Sequence, residues 1–316
     1  MGWSDLILFK IFEVIMKKNI ILAIFTLWAG FASSQNLELS CGVGYAYYYG
    51  DLNTSNLKSS PVTLLGESLN MKNFKLSFSL GARHYFPKIF SIGLNYYHLN
   101  LAGYDSDNEA AADPASDAYG RQVRNLSFFS AVNTGFLDLQ IEPLRTKKSW
   151  DSRKLLFSPY LGFGVGFFQF NPKTMYNGAE VELQPLGTEG QGLPGYANKY
   201  RLVDIIIPLN AGLKVYFPSR RVSLALDFNY NHTFTDYIDD VSTVYPNQLD
   251  IQAAYQVPNP AKYDLITALS DRGLSKHASG EIRGHDNYDF FLTGQIKFGY
   301  ILNTGGGRRY YDCYTP

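Results

Sequence analysis

Apolar and aromatic side chains occupy every second position between residues 39 and 49, and small or polar side chains occupy the positions between them. Leu39, Val43 and Tyr45 belong to the first set, whereas Ser40 and Gly42 belong to the second. A period of two places alternate side chains on opposite faces of an extended strand. The pattern therefore predicts a β-strand with one apolar, aromatic face and one small or polar face.

The same alternation recurs in seven later segments, which cover residues 74–84, 91–96, 137–142, 161–167, 205–215, 222–229 and 288–302. An even number of alternating segments of roughly ten residues is typical of bacterial transmembrane β-barrels. The predicted fold class is therefore all-β, an eight-stranded antiparallel transmembrane β-barrel. A soluble β-sandwich also shows alternating strands and is the alternative fold.

The links between the predicted strands alternate in length. Two links are short, residues 87–88 and 218–221, and one is of intermediate length, residues 143–153. The other four are long: residues 51–73, 103–123, 171–199 and 233–286. Outer-membrane barrels have short periplasmic turns and long extracellular loops. If the first strand leaves the periplasm, every long link lies outside the cell and every short link inside. This regularity favours the barrel over the sandwich.

One long apolar run, residues 19–32, follows the basic pair Lys17 and Lys18. The run is too short to cross a bilayer as a helix. Small residues, Ala32 and Ser34, lie three and one positions before the expected cleavage point, as in a secretory signal peptide. The segment therefore predicts export, with Met16 as the expected true start; a buried helix is the alternative.

No later apolar run approaches the roughly 18 residues that a membrane-spanning helix requires. Insertion into a membrane would therefore have to occur as a barrel. These features divide the chain into three expected parts: residues 1–34, an upstream extension plus signal peptide; residues 35–302, the outer-membrane barrel; and residues 303–316, a periplasmic C-terminal tail.

The composition limits the function classes. The 316 residues include 28 basic and 28 acidic side chains, so the formal net charge is zero. Proteins that bind nucleic acid concentrate Lys and Arg on one face, so we expect no nucleic-acid partner. The two cysteines, Cys41 and Cys313, are too few for a zinc site or a disulfide framework. The sequence allows either a disulfide between them or two free thiols.

Charged residues occur on the face of the strands that should point into the barrel. An eight-stranded barrel is only wide enough inside to be filled by side chains, and buried charges require partners. We therefore expect a paired network that seals the lumen, with a narrow channel as the alternative. The inward charged positions are Glu38, Lys75, Arg83, Asp138, Glu142, Lys214, Asp227, Asp289 and Lys297.

The densest acidic cluster lies just beyond the seventh strand. Asp236, Asp239 and Asp240, with Glu189 from another loop, offer the oxygen ligands that Ca²⁺ prefers. Loop capping and solvated charge are the alternative interpretation. His232 lies nearby, so a hydrolase at the barrel rim is a further alternative, although it requires a base and an orienting group within hydrogen-bond reach. We expect a non-enzymatic protein that has no cofactor.

Several motifs lie in the outer loops and at strand ends. The most distinctive are LQPLGTEGQG at residues 183–192 and TFTDYIDDVS at residues 233–242; shorter ones are GDL at 50–52, RNLSF at 124–128, FSPYLG at 157–162 and FNP at 170–172. With these motifs the chain resembles the PorG-like family of Bacteroidota outer-membrane β-barrels, a family associated with the type IX secretion system. The resemblance covers nearly the whole mature chain, but the last outer loop, residues 248–279, is longer than in the family.

The resemblance implies an integral protein of the Gram-negative outer membrane, surrounded by its lipids. It also implies a structural role that links a periplasmic secretion ring, through a ring lipoprotein or protein, to that membrane. We expect the partner to bind the periplasmic rim, because a basic turn and the tail offer the Arg and aromatic side chains that anchor interfaces. The expected partner-binding residues are Arg145, Lys147, Lys148, Trp150, Arg308, Arg309 and Tyr310.

Overall fold

The computed structural model describes residues 37–52, 73–86, 89–107, 117–146, 154–273, 276–285 and 287–302. Eight long strands run through these residues: β1 Leu37–Tyr49, β2 Lys75–Tyr85, β3 Phe90–Tyr104, β4 Ser127–Ile141, β5 Leu156–Gln169, β8 Val203–Tyr216, β9 Val222–Thr233 and β10 Phe290–Leu302. The loops carry a short hairpin and three helices: β6 Lys173–Tyr176, β7 Ala179–Glu182, α1 Asp117–Arg124, α2 Gln248–Tyr255 and α3 Pro260–Ser270.

The eight long strands close into an antiparallel barrel. Their order is β3, β2, β1, β10, β9, β8, β5, β4, and β4 pairs again with β3. The first and last strands pair along their whole length, from Leu37 opposite Leu302 to Tyr49 opposite Phe290. The predicted eight-stranded antiparallel β-barrel is therefore confirmed.

The period of two in the sequence sets the register of the barrel. Val43 of β1 lies opposite Ile296 of β10, which lies opposite Leu226 of β9. All three side chains point outward and are exposed. Because a slip of one residue would move each strand's apolar side chains into the lumen, the alternation strongly specifies this pairing.

The lumen near the short turns is filled by hydrogen-bonded ion pairs. The Arg83 guanidinium donates to both carboxylate oxygens of Asp138, at 2.8 and 2.7 Å. The amides of Asn95 and Asn210 donate to the same carboxylate, at 2.6 and 3.0 Å. All four side chains are buried. The expected paired network is therefore present, and its centre is an aspartate that accepts from three side chains.

Two lysines pair with the other buried carboxylates of this network. Lys214 Nζ lies 3.5 Å from Glu38 and 3.6 Å from Glu142. Lys297 Nζ lies 2.7 Å from Asp227. Six of the seven pair members lie on six different strands and Glu142 directly follows β4, so the ion pairs connect the walls across the lumen as well as between neighbouring strands.

The lumen near the long loops is apolar instead. Leu99, Phe128, Phe168, Ile206 and Phe291 project inward from five strands and are almost fully buried. Side chains from the loops join the same cluster, among them Leu186, Ile238, Ile251, Ile266 and Leu269. The outer loops therefore fold back onto the open end and form one core with it. We call this folded loop layer the cap.

The hairpin and the helices were not expected within the long links. Residues 171–199 and 233–286 were expected as loops, but β6 pairs with β4 at Phe129 opposite Lys173. The helices begin at ordinary capping residues, because the side chains of Asn247 and Asn259 accept from Leu249 N and Lys262 N. These helices form because Ile251, Ile266 and Leu269 pack on the barrel's apolar core.

Several sequence predictions fall outside the described residues. They concern the signal peptide, the tail with Cys313, and most of the basic turn. Cys41 is described and exposed. No helix in the described ranges is long and apolar enough to cross a membrane.

The Arg83–Asp138 pair yields a prediction about stability. Arg83→Met leaves the Asp138 carboxylate buried without its guanidinium partner, which should cost about 3–5 kcal/mol of unfolding free energy. Urea unfolding of the protein in lipid vesicles measures the loss. Adding Asp138→Asn to the same chain should recover most of it, because the remaining amides can bond a neutral group. A loss below about 1 kcal/mol for the single variant would contradict a tight pair.

Candidate functional site

The two most distinctive sequence motifs contact each other in the cap. Thr188, in the segment between β7 and β8, donates through its hydroxyl to the Asp240 carboxylate. Glu189 Oε1 accepts from the backbone N–H groups of Ser242 and Thr243, at 2.9 and 3.2 Å. Thr188 and Asp240 are 52 positions apart in the chain. Their side chains therefore hold one outer loop against another.

A buried arginine from the last loop completes this contact. Arg283 Nη1 donates to Glu189 Oε1 at 2.9 Å and to the Asp240 carbonyl oxygen at 2.6 Å. Its Nε donates to the Ser270 carbonyl at the end of α3, at 3.1 Å. We call Glu189, Asp240 and Arg283 the clasp. Because the Arg283 guanidinium bonds to three segments, it gives the cap a defined geometry. It also neutralises negative charge of the buried carboxylates.

A second arginine ties the clasp to the first two loops. The Arg124 guanidinium binds Asp105 through two parallel bonds of 2.8 Å. It also donates to the Asp51 carbonyl at 2.9 Å and to the Arg283 carbonyl. Arg124 is the first residue of the RNLSF motif. The cap is therefore one connected unit in which four loops share two arginines.

Three carboxyl groups gather beneath the clasp. Tyr48 donates to Asp289 at 2.7 Å, and Asp239 accepts from Leu52 N at 3.1 Å. Burial raises the pKa of Asp239 well above its usual range, and the nearby Asp51 carboxylate raises it further. Burial also raises the pKa of Asp289, with Asp239 adding to the effect. Both carboxyl groups therefore bind a proton more readily in the closed cap than an exposed aspartate does.

A stack of aromatic rings connects the barrel wall to the clasp. Phe168 of β5 stacks on Phe170 at 5.2 Å, and Phe170 stacks on Tyr200 at 6.3 Å between ring centroids. Tyr200 in turn stacks on Tyr237 at 4.6 Å and donates to Asp240 at 2.6 Å. The clasp is therefore packed on the barrel core and not only on other loops.

The residues suggested for calcium have protein partners. Glu189 and Asp240 accept from Arg283, and Asp239 accepts from backbone N–H groups. Asp236 is buried nearby. In the described part of the chain, no three or more His, Cys, Asp or Glu side chains form a group that could hold a metal ion. A guanidinium lies where the calcium hypothesis needs a cation, so loop capping is the interpretation that the geometry supports.

His232, considered for a rim hydrolase, lies on the outward face of β9. Its ring packs edge-on against Phe234 at 5.0 Å and Tyr288 at 6.3 Å between centroids. Its register partner on β10 is Phe290. The imidazole therefore belongs to an aromatic layer around the barrel, and its ring contacts do not orient it towards a carboxylate.

Of the expected partner-binding residues, the structure describes Arg145. Its guanidinium lies 4.0 Å from the centroid of the Tyr85 ring, and the residue is only 8% exposed. Arg145 is therefore largely buried, because the aromatic face of Tyr85 holds its guanidinium. Its role in partner binding stays a prediction. The other expected residues are Lys147, Lys148, Trp150, Arg308, Arg309 and Tyr310, which lie outside the described ranges.

The sequence did not indicate that Arg124 and Arg283 together hold the loops of the cap. Arg124 belongs to a motif that was recognised, but Arg283 lies in the long last link with no motif around it. A lone arginine in a polar loop has no pattern that distinguishes burial from exposure. The available signal was the surplus of Asp and Glu over Lys and Arg in the long links. Those carboxylates that become buried need a cationic partner.

Comparisons with known proteins add similarity in fold only. No family model and no curated protein matches the chain. Among solved structures, Neisserial surface protein A is 8% identical with a TM-score of 0.39, covering 84% of this chain and 97% of that one. Ail of Yersinia pestis is 11% identical with a TM-score of 0.34, covering 85% and 99%. The N-terminal barrel of Pseudomonas aeruginosa OprF is 9% identical with a TM-score of 0.32, covering 84% and 98%. At these scores the similarities assign no function.

The clasp yields a prediction about local opening. Arg283→Met leaves Glu189 and Asp240 buried without their cation, so hydrogen exchange at Ser242 N and Thr243 N should accelerate at least about 100-fold, as expected for a broken buried pair. Arg272→Met is the matched control, because this cap arginine donates to the hydroxyls of Ser127 and Thr174. Equal exchange in the two variants would show that the clasp does not hold the loops.

Asp240 yields a prediction about pH. Burial raises the pKa of Asp240 to about 6, against about 4 for an exposed aspartate. The closed cap therefore binds a proton that the open cap loses, and its stability should fall as the pH rises from about 4 to about 6. Hydrogen exchange, corrected for intrinsic rates, should show stronger protection at the acid end. In Asp240→Asn this dependence should be weaker, and an unchanged profile would contradict the assignment.

Proposed function

We propose that the chain is an integral outer-membrane protein that acts, without enzymatic activity, as a closed anchoring barrel for the type IX secretion machinery. The observation that carries this proposal is the contrast between the two faces of the sheet. The inner face is filled from end to end by ion pairs and an apolar core, while the outer face is apolar and uncovered. Such a barrel holds a position in a membrane and presents its two ends to partners.

The outer face has the dimensions of a membrane belt. Exposed outward positions on β5 extend from Phe157 to Phe167, about 34 Å along a strand at roughly 3.4 Å per residue. With the usual tilt of transmembrane strands this gives a band of about 25 Å. Large exposed side chains such as Tyr45, Leu161 and Phe228, which are 54%, 67% and 60% exposed, occur on this face. A soluble monomer rarely exposes so continuous an apolar surface.

The filled interior favours an anchor over a channel. Near the short turns, Asp138 is surrounded by Arg83 and two amides, and near the loops the core contains Phe168 and Phe291. Opening a path would require breaking buried ion pairs and displacing aromatic side chains together. The narrow channel is therefore the weaker alternative.

The chemistry of the cap favours a structural role over catalysis. The carboxylates that were candidates for water activation accept hydrogen bonds from backbone N–H groups and from Arg283. Glu189 in particular accepts from four donors, which include Thr243 through both its N–H and its hydroxyl. Acceptors saturated in this way hold loops together and have little capacity left to act as a base.

The type IX role is supported by the resemblance of the loop and strand-end motifs to PorG-like proteins. We propose that the partner is a ring lipoprotein or protein that contacts the short-turn end. Lys154 and Arg221 are exposed at that end and add positive charge beside the turn that contains Lys147 and Lys148. A basic rim attracts an acidic partner surface and steers its approach.

The orientation can be tested by labelling intact cells. Epitope tags placed in residues 103–123 and in residues 248–279 should react with antibody on intact cells, because we place the long loops outside. A tag in residues 143–153 should react only after the outer membrane is permeabilised. Reaction of the residue 143–153 tag on intact cells would invert the orientation and remove the proposed partner end.

The partner can be tested by purification from native membranes. Charge reversal at Lys147 and Lys148 should reduce recovery of the ring lipoprotein about tenfold, since each rim charge contributes up to about 1 kcal/mol. Lys262→Glu, on α3 at the opposite end, is the matched control and should leave recovery unchanged. Removal of the tail after Leu302 should also reduce recovery of the ring lipoprotein. Full recovery and full secretion in all of these variants would show that the short-turn end is not the contact.

A further inference from the structure

A groove crosses the outward face of five neighbouring strands. It has a volume of about 600 Å³, within the range of small-molecule sites. Its lining contains none of Asp, Glu, Lys, Arg or His. The outward side chains that define it are Tyr45, Tyr47, Leu161, Leu209, Ala211, Phe228, Tyr230, Leu292 and Gly294, with Phe74 at one end.

One row of paired residues, one from each of the five strands, forms the floor of the groove. Tyr45 lies opposite Gly294, which lies opposite Phe228, and Phe228 lies opposite Ala211, which lies opposite Leu161. Large and small side chains therefore alternate around the barrel. The small ones leave two notches, on β10 and β8, separated by the Phe228 ridge and roughly 10 Å apart at about 4.8 Å per strand.

The notch at Gly294 is open space. A Cβ atom at this position would meet only the Phe228 ring, at 3.4 Å, which is ordinary contact. No positive φ angle requires glycine there. The strand would therefore accept a side chain, and the missing one leaves room on an otherwise continuous apolar face.

The groove lies below an aromatic layer. Four residues from the Tyr45–Gly294 pair towards the loops, Tyr49 stacks on Phe290 at 4.9 Å, and Phe290 packs against Tyr230 at 5.0 Å. His232 and Tyr288 continue this layer. Aromatic layers of this kind lie at the level of lipid headgroups. In the orientation we propose, the groove therefore lies in the hydrocarbon region, just inside the leaflet on the loop side.

We propose that this groove binds an acyl chain of a lipid from the loop-side leaflet, with the headgroup at the aromatic layer beside His232. The inference rests on the proposed membrane location. A flexible hydrocarbon chain can bend around the Phe228 ridge and fill both notches. In a membrane the gain comes from closer packing of its methylene groups than bulk lipid offers.

A second copy of the chain fits the groove less well. Five strands span about 24 Å, and two outward rows along the strands add about 7 Å, so the groove covers about 170 Å². A stable protein interface buries about 800 Å² on each partner. The groove also has no charged group with which to set the register of a protein partner. Its size and chemistry match a single chain of methylene groups.

The test compares two glycines on the outer face. Gly294→Leu fills the notch, whereas Gly135→Leu adds the same side chain to an outward position on β4 outside the groove, where a Cβ would meet nothing within 4 Å. Both variants and the parent chain are reconstituted with dipalmitoyl phosphatidylethanolamine, extracted into detergent and weighed by native mass spectrometry. Ala211→Leu fills the second notch and serves if Gly294→Leu does not fold.

We expect the parent and Gly135→Leu to retain one lipid, and Gly294→Leu or Ala211→Leu to retain about tenfold less, because the added side chain occupies a notch in which the acyl chain packs. Equal retention in all four chains would overturn the site. A species of twice the chain mass that Gly294→Leu abolishes would overturn it too and make the groove an interface between copies. Absence of the chain from outer-membrane fractions would refute the proposed function. If the chain is found there but all variants retain the lipid equally, only the groove is refuted.

Discussion

Closure of the sheet between β1 and β10 is the constraint on which the rest of the structure depends. Once Leu37 pairs with Leu302 and Tyr49 with Phe290, the eight long strands of the described residues have no open edge, and their inward side chains share one narrow space. That space must be filled without unpaired charge. Near the short turns the chain satisfies this requirement with Arg83 and Asp138, and near the loops with leucine and phenylalanine. The apolar outward side chains, such as Leu161 and Phe228, are left exposed.

The change from a polar to an apolar lumen explains why the loops fold as they do. An apolar end open to water would be unfavourable, so the loops bring Ile238, Ile251 and Ile266 onto it. Their carboxylates and backbone groups then lose water, and Arg124 and Arg283 provide the compensating donors. The raised pKa of Asp240 is a consequence of this burial. The cap is thus required by the barrel below it, and it keeps the interior closed while presenting a folded surface outward.

Much of the barrel could be predicted from sequence because its main signal is local. A period of two at Leu39 and Val43 requires only neighbouring residues, and the inward charges follow from the same count. The cap could not be predicted in this way. Glu189 and Arg283 are 94 residues apart in the chain, and whether they meet depends on how four loops pack. Arg145 shows the same limit, since a basic turn resembles an exposed surface until Tyr85 is placed beneath it. The acidic cluster was recognised from the sequence, but its contact with the Arg283 guanidinium was not.

The central claim is that this barrel spans the membrane and is sealed. Conductance of the mature chain in planar lipid bilayers tests it most directly, with insertion quantified independently by the faster gel mobility of unheated barrel. We expect a stable baseline with no discrete current steps at any voltage that the bilayer tolerates, because the buried ion pairs and the apolar core leave no continuous water path. Regular current steps from inserted protein that shift in size when Arg83 or Phe291 is replaced by alanine would show an open path through the lumen and contradict the account.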